Sequence, residues 1–342
     1  MSKIVTFGEI MLRLSPPEHE RFRQATKLDM HYGGGEANIA LSLAMFGHDA
    51  SFVTKLPKNE LGDGAIQSLR QYGVDCSHVI RGGDRLGLYF LENGVSIRPS
   101  RVIYDRSHSA IADASVDEFD FASALKDAHL LHISGITPAI SQNGGELAVK
   151  IVETAKAMEI PISLDLNYRT MLWKDNVAQK QSYMKRLIQM ADICFGNALD
   201  AQKCCGYSDH EHDFTKSPYE EAISLEAMQR VMDTYDLKYL VTSHRQNVSA
   251  SRNIYSGLVC DGNRLYHGRT YDLEIVERIG TGDSMVAGFL HGLLVKSDME
   301  YALEFGLAAA ALKHTMPGDT NIATREEVEA IMESDGAARV NR

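Results

Sequence analysis

The sequence predicts an α/β fold: a mostly parallel central sheet with helices on both faces, and a small separate β-sheet. Three observations predict it. Short runs rich in Val, Ile, Leu and Phe alternate with segments whose apolar residues recur at helical spacing, and glycines close many of them. The connections are short, which joins consecutive strands in parallel through helical crossovers. Two segments, 11–32 and 86–105, break the rhythm with alternating polar and apolar residues, as in "GLYFLEN" and "IRPSRVIYD". They read as antiparallel strands, far apart in sequence but joined in space as a lid.

Taken in order, "KIVTFG" (3–8) reads as a first buried strand. Gly33-Gly34-Gly35 opens a helix with Ala37, Ala40, Leu41 and Ala44 on one face and Gly47 as its stop. "ASFVTKL" is a strand and "GAIQSLRQYG" a helix ending at Gly73. "HLLHIS" then precedes a helix near 145–158, "PISLDL" a helix near 177–190, and "ADICFG" the polar stretch 206–220, which reads as a surface loop. A helix near 224–235 leads into the strand "KYLVTS"; 247–272 reads as hairpin strands with a turn at Asp261-Gly262-Asn263. Helices near 283–296, 299–313 and 324–334 finish the chain.

Composition narrows the function. With 342 residues, 44% of them apolar, the chain can bury a sizeable core. A net charge of −11 disfavours nucleic acid or an anionic membrane as partner, and obliges any anionic substrate to meet a local cluster of Arg or Lys. Five scattered cysteines make no disulfide framework and suit a reducing compartment. No signal peptide or spanning run is evident, so a cytoplasmic protein is expected. Cys204, Cys205, His210 and His212 lack the spacing of a structural zinc site. His129, His132 and His314 flank apolar runs and read as packed or capping residues.

Two glycine motifs carry the chemistry. In "ERIGTGDSMVAGFL", Gly280-Thr281-Gly282 precedes Asp283 and an apolar helix. Free amides at a helix start form an oxyanion or phosphate site, and the glycines let a ligand approach. Asp283 is then either the helix N-cap or a general base. No Gly-Lys-Ser/Thr follows, so this is not a Walker A loop. In "GGGEAN", Gly33 and Gly34 either admit a small ligand or make a tight turn, and Asn38 offers a donor and an acceptor. A dinucleotide fingerprint is missing after the first strand, where Gly8-Glu9-Ile10-Met11 stands.

Together, "GGGEANIALSLAMFG" and "ERIGTGDSMVAGFL" resemble the two signatures of the ribokinase-like, PfkB-type sugar kinases. "SLDLNYRTMLW", "RLGLYFLENGVSIRPSRVIYDR" and "ALKHTMPGD" are similar to one branch, the 2-keto-3-deoxygluconate kinases. The resemblance implies a three-layer fold over 1–335 with the lid over the sugar, leaving 336–342 as a tail. It also implies ATP and Mg²⁺ as cofactors and phosphoryl transfer to the terminal hydroxyl of a sugar acid; the alternatives are a kinase of the same fold acting on another, fructose-like sugar, or a non-catalytic sugar or nucleotide sensor. Asp283 would be the base, and the amides of Gly280, Thr281 and Gly282 the anion hole. Helix-end donors favour an ionised, weaker Asp283, and triphosphate charge pushes the other way.

Arg106 and Arg169 sit where this branch binds the acid, and a guanidinium can grip a carboxylate through two hydrogen bonds. The alternative for both is pairing with surface acids. Gly33, Gly34, Asn38, Tyr89 and Tyr104 complete the implied sugar site. Asn167, Arg169, Asn197, Thr242, Arg278, Gly280, Gly282 and Lys313 are implied nucleotide contacts. Asn197 and Asp200, indirectly, are the metal contacts, Asp200 standing one methylene short of the family's Glu. Where relatives carry a glycine-rich turn, the chain has Thr242-Ser-His-Arg-Gln-Asn247. Arg278 meets a phosphate or faces solvent. Exposed lid edges offer a surface for a homo-oligomer.

Overall fold

A computed structural model describes residues 2–334, and the expected tail, 336–342, lies outside them. The strand Lys3–Phe7 is central, with Ile4, Val5 and Phe7 fully buried. It pairs in parallel with Asp49–Val53 on one side and Leu130–Ser134 on the other. Parallel pairing continues through Ile162–Asp165 and Ile193–Phe195 to Tyr239–Ser249. The sheet then turns antiparallel through Arg252–Cys260, which also carries Leu265–His267 and Tyr271–Glu274. This is the mostly parallel sheet expected from the alternation. Strand order reverses at Lys3–Phe7, and a crevice at the carboxyl ends of the strands is where ligands bind in such sheets.

Segments 11–32 and 86–105 do join in a second, four-stranded sheet, ordered Asp29–Gly33, Met11–Ser15, Leu88–Glu92, Arg101–Asp105. Its outer pairings are antiparallel and its central one is parallel, Leu12 lying opposite Leu88. A parallel pair needs a long crossover, and the chain between these strands runs through the main body. The outermost strand, Arg101–Asp105, is exposed throughout.

The stretch 242–247, which lacks the glycines of the relatives' turn, is strand: Tyr239–Ser249 runs through it, paired from Thr242 opposite Leu258 to Asn247 opposite Asn253. Without glycine, and with a continuous partner strand, the chain has no reason to bend there. The expected turn at Asp261 is present: Gly262 has φ 87°, and the Asp261 carboxylate accepts from the amides of Asn263 and Arg264. The polar stretch 206–220 is pinned by buried Tyr207 and Phe214 rather than lying wholly on the surface.

The helices Thr281–Lys296 and Met299–Lys313 touch backbone to backbone. A Cβ on Gly288 would lie 2.7 Å from the Gly306 Cα, and one on Gly292 would lie 2.5 Å from the Ala302 Cα. This close pairing explains the alanine-rich run Ala308–Ala311, buried between helix and sheet. No helix among the described residues is long and apolar enough to cross a membrane.

Burial also sets how stability responds to acid. It lowers the imidazole pKa of His132 and His291 to about 3 and of His48 and His314 to about 4. The unfolded chain takes up these protons near the ordinary value of about 6.5, while the folded chain refuses them until far lower pH. Stability therefore declines as pH falls from about 6.5 towards 4, by up to about 1.4 kcal/mol per pH unit per histidine. Thermal melts should give a lower Tm at pH 5 than at pH 7.5, with His132→Asn weakening the difference.

Candidate active site

A cleft of about 700 Å³ opens at the carboxyl ends of the parallel strands, between the main sheet and the four-stranded sheet. The helix carrying Asp283 starts at Thr281, with Gly280 before it at φ 79°. Asp283 is therefore the third residue of the helix and not its N-cap, which removes the N-cap reading of that residue. The amides of Thr281, Gly282 and Asp283 have no acceptor among the described residues, as expected of a first helical turn. A Cβ on Gly282 would meet nothing within 4 Å, so this position opens into the cleft.

Two guanidiniums flank this turn. Arg245 Nη2 donates to the Thr281 hydroxyl at 2.6 Å, and Arg278 donates to Asn247 Oδ1 at 3.1 Å and to the Ser249 carbonyl. Neither has a carboxylate partner among the described residues, and burial, then the charge of Arg245, lowers the pKa of Arg278. Unpaired cations beside free helix amides make an anion site. Arg278 thus lies on the cleft wall and not in open solvent.

Three carboxylates face this positive end. Asp283 Oδ2 accepts from Asn38 Nδ2 at 2.7 Å, and a Cβ on Gly35 would lie 3.7 Å from its other oxygen. Burial raises the pKa of Asp283, with the Asn38 hydrogen bond and Arg169 pulling the other way. Burial, then the charge of Asp283, pushes Asp165 up to about 7, although Asp165 accepts from the amide and side chain of Asn167. Burial also raises Asp200. Burial thus outweighs the Asn38 hydrogen bond and the charges of Arg169 and Lys313, and holds Asp283 above the ordinary carboxylate value. Among the described residues no three His, Cys, Asp or Glu side chains are grouped to hold a metal, the 204–212 set included. Asp165 and Asp200 suit a Mg²⁺ that arrives on phosphates and keeps several waters.

On the lid side, Tyr89 and Tyr104 lie opposite each other with ring centres 6.0 Å apart. Arg106 is on the wall, but Nε and Nη2 are both bonded to buried Glu9, whose other oxygen accepts from Ser109 at 2.5 Å. Only part of its guanidinium remains for a ligand. Arg169 is exposed in the cleft, and its guanidinium has no hydrogen-bond or ion-pair partner among the described residues. The Tyr89 hydroxyl donates to Asp319. Arg13 spans Asp319 and Glu277 at 2.7 and 2.6 Å, tying the lid to the turn before Asp283.

The cleft brings together Gly33, Gly34, Asn38, Tyr89, Tyr104, Arg106, Asn167, Arg169, Asn197, Asp200, Thr242, Arg278, Gly280, Thr281, Gly282 and Asp283. Lys313 is not on its wall: it is wholly buried, and Nζ donates to the Met316 carbonyl at 3.0 Å. Gly33 and Gly34 line the cleft but are also required internally. A Cβ there would lie 2.3 Å from the Asp319 carboxylate and 1.9 Å from the Glu9 carbonyl, respectively. Asn197 caps the helix Ala198–Cys205 by accepting from the Asp200 amide at 3.1 Å.

Sequence reasoning missed Glu9, Arg13, Arg245 and Asp319, which act through partners far along the chain, and Tyr219, which reaches the cleft from the polar stretch. The one local signal was charge within an apolar stretch, at Glu9 between the first two strands and at Arg13 on the second.

The pfkB family carbohydrate kinase model matches residues 1–326. The chain belongs to the pfkB family of carbohydrate kinases. It is 32% identical to the 2-dehydro-3-deoxygalactonokinase of Haloferax volcanii over 100% of this chain and 99% of that protein. It is similar to the crystal structure of 2-dehydro-3-deoxygluconokinase from Thermotoga maritima, with 39% identity, a TM-score of 0.91, and 97% and 98% of the two chains covered. The 2-dehydro-3-deoxygluconokinase of Thermoproteus tenax is 26% identical over 98% of this chain and 95% of that protein.

Proposed function

We propose that the chain transfers the γ-phosphoryl group of ATP to the terminal hydroxyl of 2-keto-3-deoxygluconate, giving 2-keto-3-deoxy-6-phosphogluconate. The observation that carries the reading is a buried carboxylate, Asp283, beside free helix amides in a cleft that also exposes the unpaired Arg169. The lid side takes the sugar acid: Arg169 pairs with its carboxylate, and Tyr89 and Tyr104 cover its carbon chain. The terminal hydroxyl then faces Asp283, which accepts its proton as the oxygen attacks phosphorus and ADP leaves. The amides of Gly280, Thr281 and Gly282 hold the charge on the transferring group, with Arg245 and Arg278 on the phosphates. Asn167, Asn197 and Thr242 border the nucleotide. Mg²⁺, near Asp165 and Asp200, supplies shielding of the phosphate charge when bound.

The test is a phosphorylation screen with Mg-ATP against 2-keto-3-deoxygluconate, its C4 epimer 2-keto-3-deoxygalactonate, and fructose. Turnover of the acids and not of fructose is expected, and preference for fructose would overturn the acid assignment. Arg169→Ala should raise KM for the acid about 10–100-fold, through loss of a bidentate ion pair, with a smaller change in kcat. An unchanged acid KM would exclude Arg169 as the carboxylate ligand, and a raised ATP KM in its place would assign it to the nucleotide.

A further inference from the structure

Lys313 is a charge without an evident purpose. It ends the helix Met299–Lys313 wholly buried, in a run otherwise made of Ala and Leu. Its ammonium has three protons and one hydrogen-bond partner, the Met316 carbonyl at 3.0 Å. No carboxylate lies within ion-pair distance among the described residues. A buried ammonium so poorly paired is costly, and Met or Leu would fill the same space without that cost. What lies over it is the turn of the active site: a Cβ on Gly280 would be 3.5 Å from the Lys313 Cε.

We infer that Lys313 is a positioning residue for the phosphoryl transfer proposed above, a built-in cation that acts on the anion-hole turn from beneath Gly280 without touching the nucleotide. From there its field adds to that of the helix amides where phosphoryl charge develops. It also favours the ionised form of Asp283. The charged groups that face it are Glu277 before the turn, Asp319 after it, Arg13 on the lid strand, and Asp283 on the helix. Burial lowers its pKa to about 8, against the opposing pull of Glu277 and Asp319. Lys313 is therefore charged at neutral pH and loses its charge in mild alkali.

This inference rests on the kinase reading, and kcat measured against pH from 6 to 10 separates the two. Wild-type kcat should fall above about pH 8, and Lys313→Arg, which cannot deprotonate there, should hold its plateau to higher pH. Lys313→Met should lose about tenfold or more in kcat at pH 7, with the ATP KM within about threefold and the acid limb moved to higher pH. If Lys313→Met does not fold, the alkaline limb of Lys313→Arg carries the test. An alkaline limb identical in wild type and Lys313→Arg overturns the inference. So does a Lys313→Met enzyme that keeps kcat while its ATP KM rises tenfold, the behaviour of a nucleotide ligand. A wild-type protein inactive on every sugar acid overturns the kinase reading, and the inference with it.

Discussion

Asp283→Asn is expected to lower kcat about a thousandfold while leaving Tm and the ATP KM nearly unchanged. The amide has the shape of the carboxylate and can still present an oxygen to Asn38 Nδ2, now 2.7 Å away, so packing is kept. What it cannot do is accept the proton of the attacking hydroxyl. The same residue sets the acid side of the pH profile. Burial raises its pKa, so activity falls as pH drops through a value above that of an ordinary carboxylate. Asp165, pushed up to about 7 by burial and by Asp283, titrates with it, and the limb belongs to the pair. Asp165→Asn should therefore move the limb to lower pH. Kinetics from pH 5 to 8 check both results, and undiminished turnover by Asp283→Asn would remove the base from the mechanism.

Gly280→Ala is the second large effect, and it acts through the backbone. Gly280 adopts φ 79°, where a side chain is strained, and its Cβ would lie 1.8 Å from the Asp319 carbonyl oxygen. Neither strand nor helix can absorb that overlap, so the turn must move and carry the amides of Thr281 and Gly282 with it. A loss of about 100- to 1000-fold in kcat is expected from misplaced donors, together with about 1–3 kcal/mol of stability from the strained φ. Gly282→Ala provides the contrast. Its Cβ would enter open cleft, so Tm should stay close to wild type while the ATP KM rises. Melting curves and steady-state kinetics on the two variants separate backbone strain from occupied ligand space. Equal Tm values for both would contradict the strain argument.

What the sequence made legible was local. Alternation gave the parallel sheet, and each glycine motif marked a helix start because its signal lies within a few residues. The resemblance carried Asp283, Arg169 and the cleft glycines to one wall. Side-chain partners formed by distant segments were not legible. Arg13 meets Glu277 and Asp319 across nearly the whole chain, and nothing near Arg13 announces either partner. Arg106 was offered a surface acid as its alternative partner, and the partner it has is the buried Glu9, 97 residues away in the chain. Lys313 was assigned to the nucleotide by the resemblance, which carries a position and not the direction of a side chain; its side chain is wholly buried behind Gly280. The strand through 242–247 escaped for a related reason, since its continuation depends on pairing with Arg252–Cys260.

The parallel pairing of Leu12 with Leu88 at the centre of the lid has a consequence for synthesis. When residues 11–33 leave the ribosome, their partner strand has not been made, and the first hairpin waits with one edge unsatisfied and Met30 exposed. The strands Lys3–Phe7 and Asp49–Val53, with the helix between them, can pair during that interval. The lid is then completed on a core already begun. Nascent chains arrested before residue 88 should lose the 11–33 segment to protease sooner than chains arrested after residue 105. Equal cleavage of the two would show that the hairpin finds protection without its partner.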